Sequence, residues 1–339
     1  MKKVFMLGVL MLAACGTGES GTSVESEAED VATDLKVPWM VVEAGEGFIV
    51  SEREGGLKQI TEGRVTDQPL ELNIPIHASG EGGLLGFILH PDDPDTAFIY
   101  HTYFDGGEKN RVVELKREEG TWRESDVLIA DIPGGRVHNG GRMEIGPDGD
   151  LYITTGDAGN GEYSQDIESL AGKILRIGLD GSLPEDNPFG NEVYSYGHRN
   201  PQGIAWNDEG TMYAAEHGSD GHDEINRIEP GANYGWPLVE GDEEQEGMKV
   251  PLYHTGNDTW APSGISHAAG TLYIAALRGT KIIALDLETL ETSTQYDEGS
   301  RMRDVHIKDG SIYALTNNTD GRGDPGEGDD RLIRITMDE

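Results

Sequence analysis

The chain has 339 residues, 48 of them Gly and 15 Pro, and its 63 acidic against 26 basic side chains give a formal charge of −37. A surface so acidic repels polyanions, which excludes nucleic acid and an anionic membrane face as partners. With Cys15 as the only cysteine no intrachain disulfide can form, so stability has to come from sheet packing, with bound ions as a second source.

The N-terminus opens with Lys2 and Lys3, an apolar run from Val4 to Leu12, and Ala13-Ala14-Cys15. This is the pattern of a secretory signal, and the run is far short of the ~20 residues that span a bilayer. Leu12-Ala13-Ala14-Cys15 also has the form of a lipobox, in which cleavage leaves Cys15 carrying a lipid. The next stretch, Gly16 to Thr33, is Gly, Ser, Thr, Glu and Asp with almost nothing to bury. The expected organisation is a signal peptide over 1–15, a disordered acidic tether over 16–34 and one folded domain over 35–339. The chain is then exported and anchored to the outer side of the cell membrane only through the lipid on Cys15.

Beyond the tether one unit recurs six times. An aromatic opens a β-prone run at Phe48, Phe98, Tyr152, Tyr213, Tyr273 and Tyr313, spaced by 40 to 61 residues and mostly preceded by a Gly or Asp turn. Several copies continue into a second alternating strand, as in Lys173-Ile174-Leu175-Arg176-Ile177, Lys281-Ile282-Ile283-Ala284-Leu285 and Arg331-Leu332-Ile333-Arg334-Ile335. Period-2 alternation argues for half-buried antiparallel strands, and the spacing is near that of a β-propeller blade. No mature segment carries a sustained 3.6-residue apolar pattern, so helices should be few and short.

The longest gaps hold polar, Gly-rich segments unlike simple turns: Val137-His138-Asn139-Gly140-Gly141-Arg142, Gly197-His198-Arg199-Asn200-Pro201-Gln202-Gly203 and Glu216-His217-Gly218-Ser219-Asp220-Gly221-His222-Asp223-Glu224. Loops on one face of a ring converge near its axis, so a His, several Arg and an Asn-Gln pair gathered there could hold an anionic, planar ligand. Together with Glu81-Gly82-Gly83-Leu84-Leu85-Gly86, Gly156-Asp157, Asn233-Tyr234-Gly235-Trp236-Pro237 and Arg301-Met302-Arg303-Asp304-Val305, these segments resemble the soluble quinoprotein glucose and aldose sugar dehydrogenases. The resemblance runs from about Leu35 to Ile335. It implies a six-bladed β-propeller with four-stranded antiparallel blades that binds pyrroloquinoline quinone (PQQ) and calcium and oxidises aldoses, electrons leaving to an unidentified acceptor.

Carried over residue by residue, the resemblance makes His138 the general base, since imidazole titrates near neutral pH. Asp157 would hold its other ring nitrogen, and Arg199 would stabilise charge developing on the cofactor. Arg199, Asn200, Thr259, Arg278, Arg301, Arg303 and Glu81 match cofactor or substrate contacts, with Gln202 as a brace. Calcium would sit on the carbonyls of Gly218 and Ser219, and Asp223 and Glu224 could contribute to a further, structural calcium; on ligand type alone, Asp320, Asp324, Glu327, Asp329 and Asp330 form a second candidate cation site of side chains. The sequence departs from the glucose-enzyme pattern at Val137, Glu81, Ser219 and Arg278, where that pattern has Asp, Gln, Pro and Lys. The first two lie on the sugar side and favour the aldose branch over strict glucose specificity. Two alternatives stay open at this point: a calcium-dependent lactonase on the same scaffold, and a binding propeller without activity. The oligomeric state also stays open.

Overall fold

The computed structural model describes residues 28–337, where the only α-helix is the single turn Glu162–Gln165. Everything else regular is sheet, divided into six successive blades. Blade one is Pro38–Ala44, Gly47–Glu52, Gly56–Thr61 and Arg64–Asp67. Blade two is Leu84–His90, Asp93–Phe104, Glu108–Glu118 and Thr121–Pro133, with the two-residue strand Leu70–Glu71 added in parallel at its outer edge. Blade three is Met143–Ile145, Leu151–Thr155, Lys173–Ile177 and Val193–Tyr196; blade four is Pro201–Trp206, Met212–Glu216, Glu224–Ile228 and Tyr253–His254. Blade five is Pro262–Ala268, Thr271–Ala276, Lys281–Asp286 and Thr292–Tyr296.

Blade six closes the ring. Its first three strands are Met302–Lys308, Ser311–Thr316 and Leu332–Thr336, and its fourth is the N-terminal strand Ala28–Ala32, running antiparallel with Ala28 opposite Ile335. This corrects the expected tether, which had placed 28–32 in a disordered segment. Ala-Glu-Asp-Val-Ala has too little to bury alone, but Ala32 turns inward to 5% exposure and the backbone of the edge strand finds its partners on Leu332–Thr336. The signal segment and Cys15 lie outside the described residues.

The repeated aromatics fall without exception on the second strand of each blade. Their rings fill the seams between blades: Phe48 of blade one lies 4.5 Å from Tyr313 of blade six, and Tyr152 of blade three 5.1 Å from Trp206 of blade four. The apolar core is accordingly six clusters, one per seam. In the seam between blades one and two, Ile49, Leu84, Phe87, Ile99 and Trp122 are 0–1% exposed, each contributing roughly 1.5–3 kcal/mol of burial.

Chain direction decides where function can sit. In an antiparallel blade that starts at the axis, the approach to the first strand and the loop joining second to third lie at the same end. All the singled-out segments but Asn233–Pro237 belong to those two sets of loops or run from them into the first strand, and so share one face. Asn233–Pro237 lies between the third and fourth strands of blade four and reaches the same face through Trp236, which donates to Asp157.

Candidate active site

His138 sits on the approach to blade three with φ +56°, a left-handed conformation that costs a non-glycine residue about 1–2 kcal/mol. Its N–H donates to Glu81 Oε2 at 2.9 Å and its carbonyl accepts from Ala158 N–H at 3.1 Å, so the backbone is held on both sides. The ring Nδ1 lies 2.7 Å from Asp157 Oδ1. Asp157, 1% exposed just beyond the second strand of blade three, also accepts from Gly159 N–H at 2.7 Å and from the Trp236 indole N–H at 2.8 Å. Burial pushes its carboxyl up, but the hydrogen bond from His138, the charge there and the other donors outweigh it and hold the carboxyl below its ordinary value. An ionised Asp157 fixes the proton on Nδ1 and leaves Nε2, which has no protein partner among the described residues, as the basic nitrogen.

Arg199 and Asn200 lie on the approach to blade four, joined to this pair through the Asp157 N–H donating to the Arg199 carbonyl at 2.8 Å. The Arg199 guanidinium stands over the Trp236 ring at 5.3 Å and donates to the His217 carbonyl at 3.3 Å, while its buried Nε has no partner among the described residues. Asn200, 1% exposed, accepts from Gly140 N–H at 3.2 Å through Oδ1 and leaves Nδ2 unpartnered. His217 Nε2 is a third buried orphan, and burial pushes that imidazole down to about 4.

Arg303, on the inner strand of blade six, is 5% exposed and, among the described residues, hydrogen-bonds to no carboxylate. It donates to Asn317 Oδ1 at 3.1 and 2.8 Å and to Gln202 Oε1 at 2.9 Å, all neutral acceptors, and burial pulls it down to about 9. A pairing of Arg303 with the adjacent Asp304 does not occur, because Asp304 bonds to Arg142 at 2.9 Å instead. A buried guanidinium held only by neutral acceptors is costly; the charges of Asp320 and Glu81 offset part of that cost, and an anion bound here would offset more. Arg303, Gln202 and His217 line an axial cavity with Trp39, Arg53, Glu81, Asn139, Gly140, Leu277 and Arg322. Planar stacking surfaces, three guanidinium groups and orphaned donors make a donor set that fits an anionic quinone such as PQQ.

Other expected residues behave differently. Arg301 is already satisfied by Asp320 at 2.8 Å, the Leu277 carbonyl at 3.2 Å and the Asn317 carbonyl at 3.3 Å. Arg278 is exposed and Thr259 half-buried, and among the described residues neither side chain bonds to the cluster. Asp223 is a scaffold rather than a free ligand: Oδ1 accepts from Gly218 N–H at 3.0 Å, and Oδ2 from Trp260 and Ala261 N–H at 2.6 and 2.8 Å. Glu224 accepts from Gly241 N–H at 2.9 Å and Asn226 Nδ2 at 3.1 Å, and burial pushes its carboxyl up to about 8. As folded here, both carboxylates are engaged by the chain itself. Ser219 directs its hydroxyl at Glu240, 2.9 Å away. Gly218 lies in a loop so tight that a Cβ there would meet the Gly221 carbonyl oxygen at 1.9 Å, and a cation at Gly218 and Ser219 would rest on backbone oxygens. In the second candidate cation site Asp320 pairs with Arg301, Asp330 accepts from Asn318 N–H and the Thr319 hydroxyl, and Asp329 accepts from Gly326 N–H at 2.8 Å. Among the described residues no group of three acids or histidines stands open as a ready side-chain cation site.

Sequence reasoning passed over Arg53, Arg322, Trp39 and Arg142. Trp236 and Arg142 sat inside recognised motifs without a role, while Arg322 is hidden among Asp320, Asp324 and Glu327.

The fold and site define a six-bladed propeller with a half-buried His138 paired to the buried Asp157 beside an axial cavity lined by Arg53, Arg303 and Arg322. A family model for glucose / sorbosone dehydrogenase matches residues 35–334, and the chain belongs to that family. Over 85% of its length it is 30% identical to the aldose sugar dehydrogenase YliI of Escherichia coli, spanning 89% of that protein. The quinoprotein glucose dehydrogenase B of Acinetobacter calcoaceticus is 33% identical over 57% of this chain and 48% of its own. The PQQ-bound aldose sugar dehydrogenase of Streptomyces coelicolor superposes with a TM-score of 0.85 at 37% identity, covering 92% of this chain and 98% of that one.

Proposed function

We propose that the chain is an exported PQQ- and calcium-dependent aldose dehydrogenase that oxidises the anomeric carbon of a sugar to a lactone. The observation that carries this reading is the buried Arg303, hydrogen-bonded to neutral acceptors, on the same face as a carboxylate-oriented His138. PQQ, when bound, supplies the electrophile that takes the hydride. His138 Nε2 takes the proton of the anomeric hydroxyl, and Asp157 stabilises the imidazolium that results. Arg303, Arg199 and Asn200 hold the anionic cofactor with donors that otherwise lack charged partners. Trp236 restrains both Asp157 and Arg199, so the base and the charge-stabilising group keep one geometry. Calcium would be held by the carbonyls of Gly218 and Ser219. The two electrons then leave to an unidentified acceptor. The lipid on Cys15 would keep the enzyme at the outer side of the membrane.

The test is a split between binding and turnover. His138→Ala should lower aldose-dependent turnover by roughly 10²–10⁴-fold while PQQ stays bound, the range a general base supplies. Turnover unchanged in this variant would reject the assigned base.

A further inference from the structure

We infer that Glu81 is a positioning residue for His138 rather than a ligand to sugar or cofactor, its carboxylate tying the backbone of the base to the loop that follows Ser311–Thr316. The inference rests on the reading of His138 as the base. Both carboxylate oxygens are engaged by the chain itself: Oε2 accepts from His138 N–H at 2.9 Å, and Oε1 from Arg322 Nη2 at 2.8 Å. The Glu81 N–H in turn donates to the Arg136 carbonyl at 2.9 Å, so the approaches to blades two and three are cross-tied twice. Gly80 makes this closeness possible, since a Cβ there would lie 2.1 Å from the Arg136 oxygen.

The tie matters because His138 is left-handed, with φ +56°, and its ring direction follows from that backbone. A charge-assisted bond from its own N–H is the strongest single restraint on the conformation. On the far side, Arg322 N–H donates to Asp320 Oδ1 at 2.8 Å, and Asp320 Oδ2 accepts from Arg301 at 2.8 Å. Contacts therefore run unbroken from Arg301 through Asp320, Arg322 and Glu81 to the base. The charged and titratable groups facing Glu81 are Arg322, Arg53, His217 and Arg303. Burial pushes the Glu81 carboxyl up, yet the His138 N–H and the Arg322 guanidinium more than reverse this, so it stays an ionised acceptor.

The side-chain chemistry separates two variants. Glu81→Ala removes the acceptor for His138 N–H. Glu81→Gln keeps one oxygen for that N–H and presents only an amide NH₂ to Arg322, so it should release the loop but keep the base in place. With PQQ and Ca²⁺, we expect Glu81→Ala to lower kcat by roughly 10- to 100-fold, the loss that a misplacement near 1 Å brings. KM for the aldose and the PQQ dissociation constant should stay within about threefold, and Glu81→Gln should recover most of kcat. In the apoprotein, amide exchange at His138 followed by NMR should be protected in wild type and Glu81→Gln, and accelerated in Glu81→Ala. A raised KM at unchanged kcat, a Gln variant as impaired as Ala, or a His138 amide still protected in Glu81→Ala would each overturn the assignment. A wild type inactive with PQQ would sink the aldose reading, while the exchange experiment still decides whether Glu81 holds this backbone.

Discussion

Removing Arg142 should unbolt the propeller at its axis. Arg142 belongs to the approach to blade three and Asp304 to the inner strand of blade six, diametrically opposite in the ring, and they meet at 2.9 Å with side chains only 3% and 4% exposed. Asp304 also accepts from Val41 N–H of blade one at 2.8 Å, and Arg142 donates to the Gln202 carbonyl of blade four at 2.9 Å and stacks on Trp39 at 4.5 Å. Gly264 of blade five gives the carboxylate its room, since a Cβ there would lie 1.8 Å from Asp304 Oδ1. Burial pushes the Asp304 carboxyl up even with Arg142 beside it. Arg142→Met leaves that carboxylate buried without its counterion, and loss of one partner of such a pair costs about 3–5 kcal/mol. The assay is urea unfolding of Arg142→Met, Asp304→Asn and the double variant, compared as a cycle. The double variant should be less impaired than the sum of the singles, because it buries no lone charge. The Arg142→Met penalty should shrink from pH 8 to pH 5. An Asp304 with a raised folded pKa takes up a proton before the unfolded chain does, which relieves the penalty as pH falls. A loss below 1 kcal/mol in Arg142→Met, or strictly additive variants, would refute the bolt.

Other outcomes follow from the same contacts. Asp157→Asn should keep PQQ affinity but lower kcat by two or more orders of magnitude, roughly as when an amide replaces the carboxylate that orients a catalytic imidazole; unchanged kcat would remove Asp157 from the pair. Arg303→Met should weaken PQQ binding by at least roughly tenfold, since charge-assisted hydrogen bonds are worth about 1.5–3 kcal/mol, as read by cofactor titration; unaltered affinity would show that the anion lies elsewhere. His101 is fully buried, its Nε2 accepting from Arg111 at 2.8 Å, and burial followed by the Arg111 charge pushes it down to about 4. Protons therefore bind the unfolded chain first, and stability should fall as pH drops from about 6.5 to 4, by about 3 kcal/mol from this group. His101→Asn should flatten that part of the urea-derived pH profile, and an unflattened profile would remove His101 as its source. Cys15→Ala should shift the protein out of the detergent phase on Triton X-114 partition; retention there would reject the lipid anchor.

The scaffold was legible because its signal is apolar and periodic. Tyr152, Tyr213 and Tyr273 stand on second strands whose neighbours are buried on both faces, and such runs stay hydrophobic even in a strongly acidic chain. The closing strand Ala28–Ala32 was not legible, since an outer strand buries little and its residues Ala28, Glu29 and Asp30 are exposed. His138 and Asp157, 19 residues apart, were paired through the family resemblance of their motifs, and the structure brings Nδ1 to 2.7 Å from Oδ1. Glu81, by contrast, meets His138 across 57 residues and Arg322 across 241, and no local pattern carries that information. Asp223 was ambiguous in the sequence, because an aspartate that gathers backbone N–H groups in a Gly-rich loop has the same signature as one that binds a cation.

The central claim, an aldose dehydrogenase whose Arg303 pocket takes PQQ, is tested most directly by reconstitution. Purified apoprotein is mixed with PQQ and Ca²⁺, and dye reduction is followed over a panel of aldoses with the lactone product identified. The expected result is sugar-dependent reduction that needs PQQ and is lost in His138→Ala. Absence of both a bound quinone spectrum and any sugar-dependent reduction would contradict it.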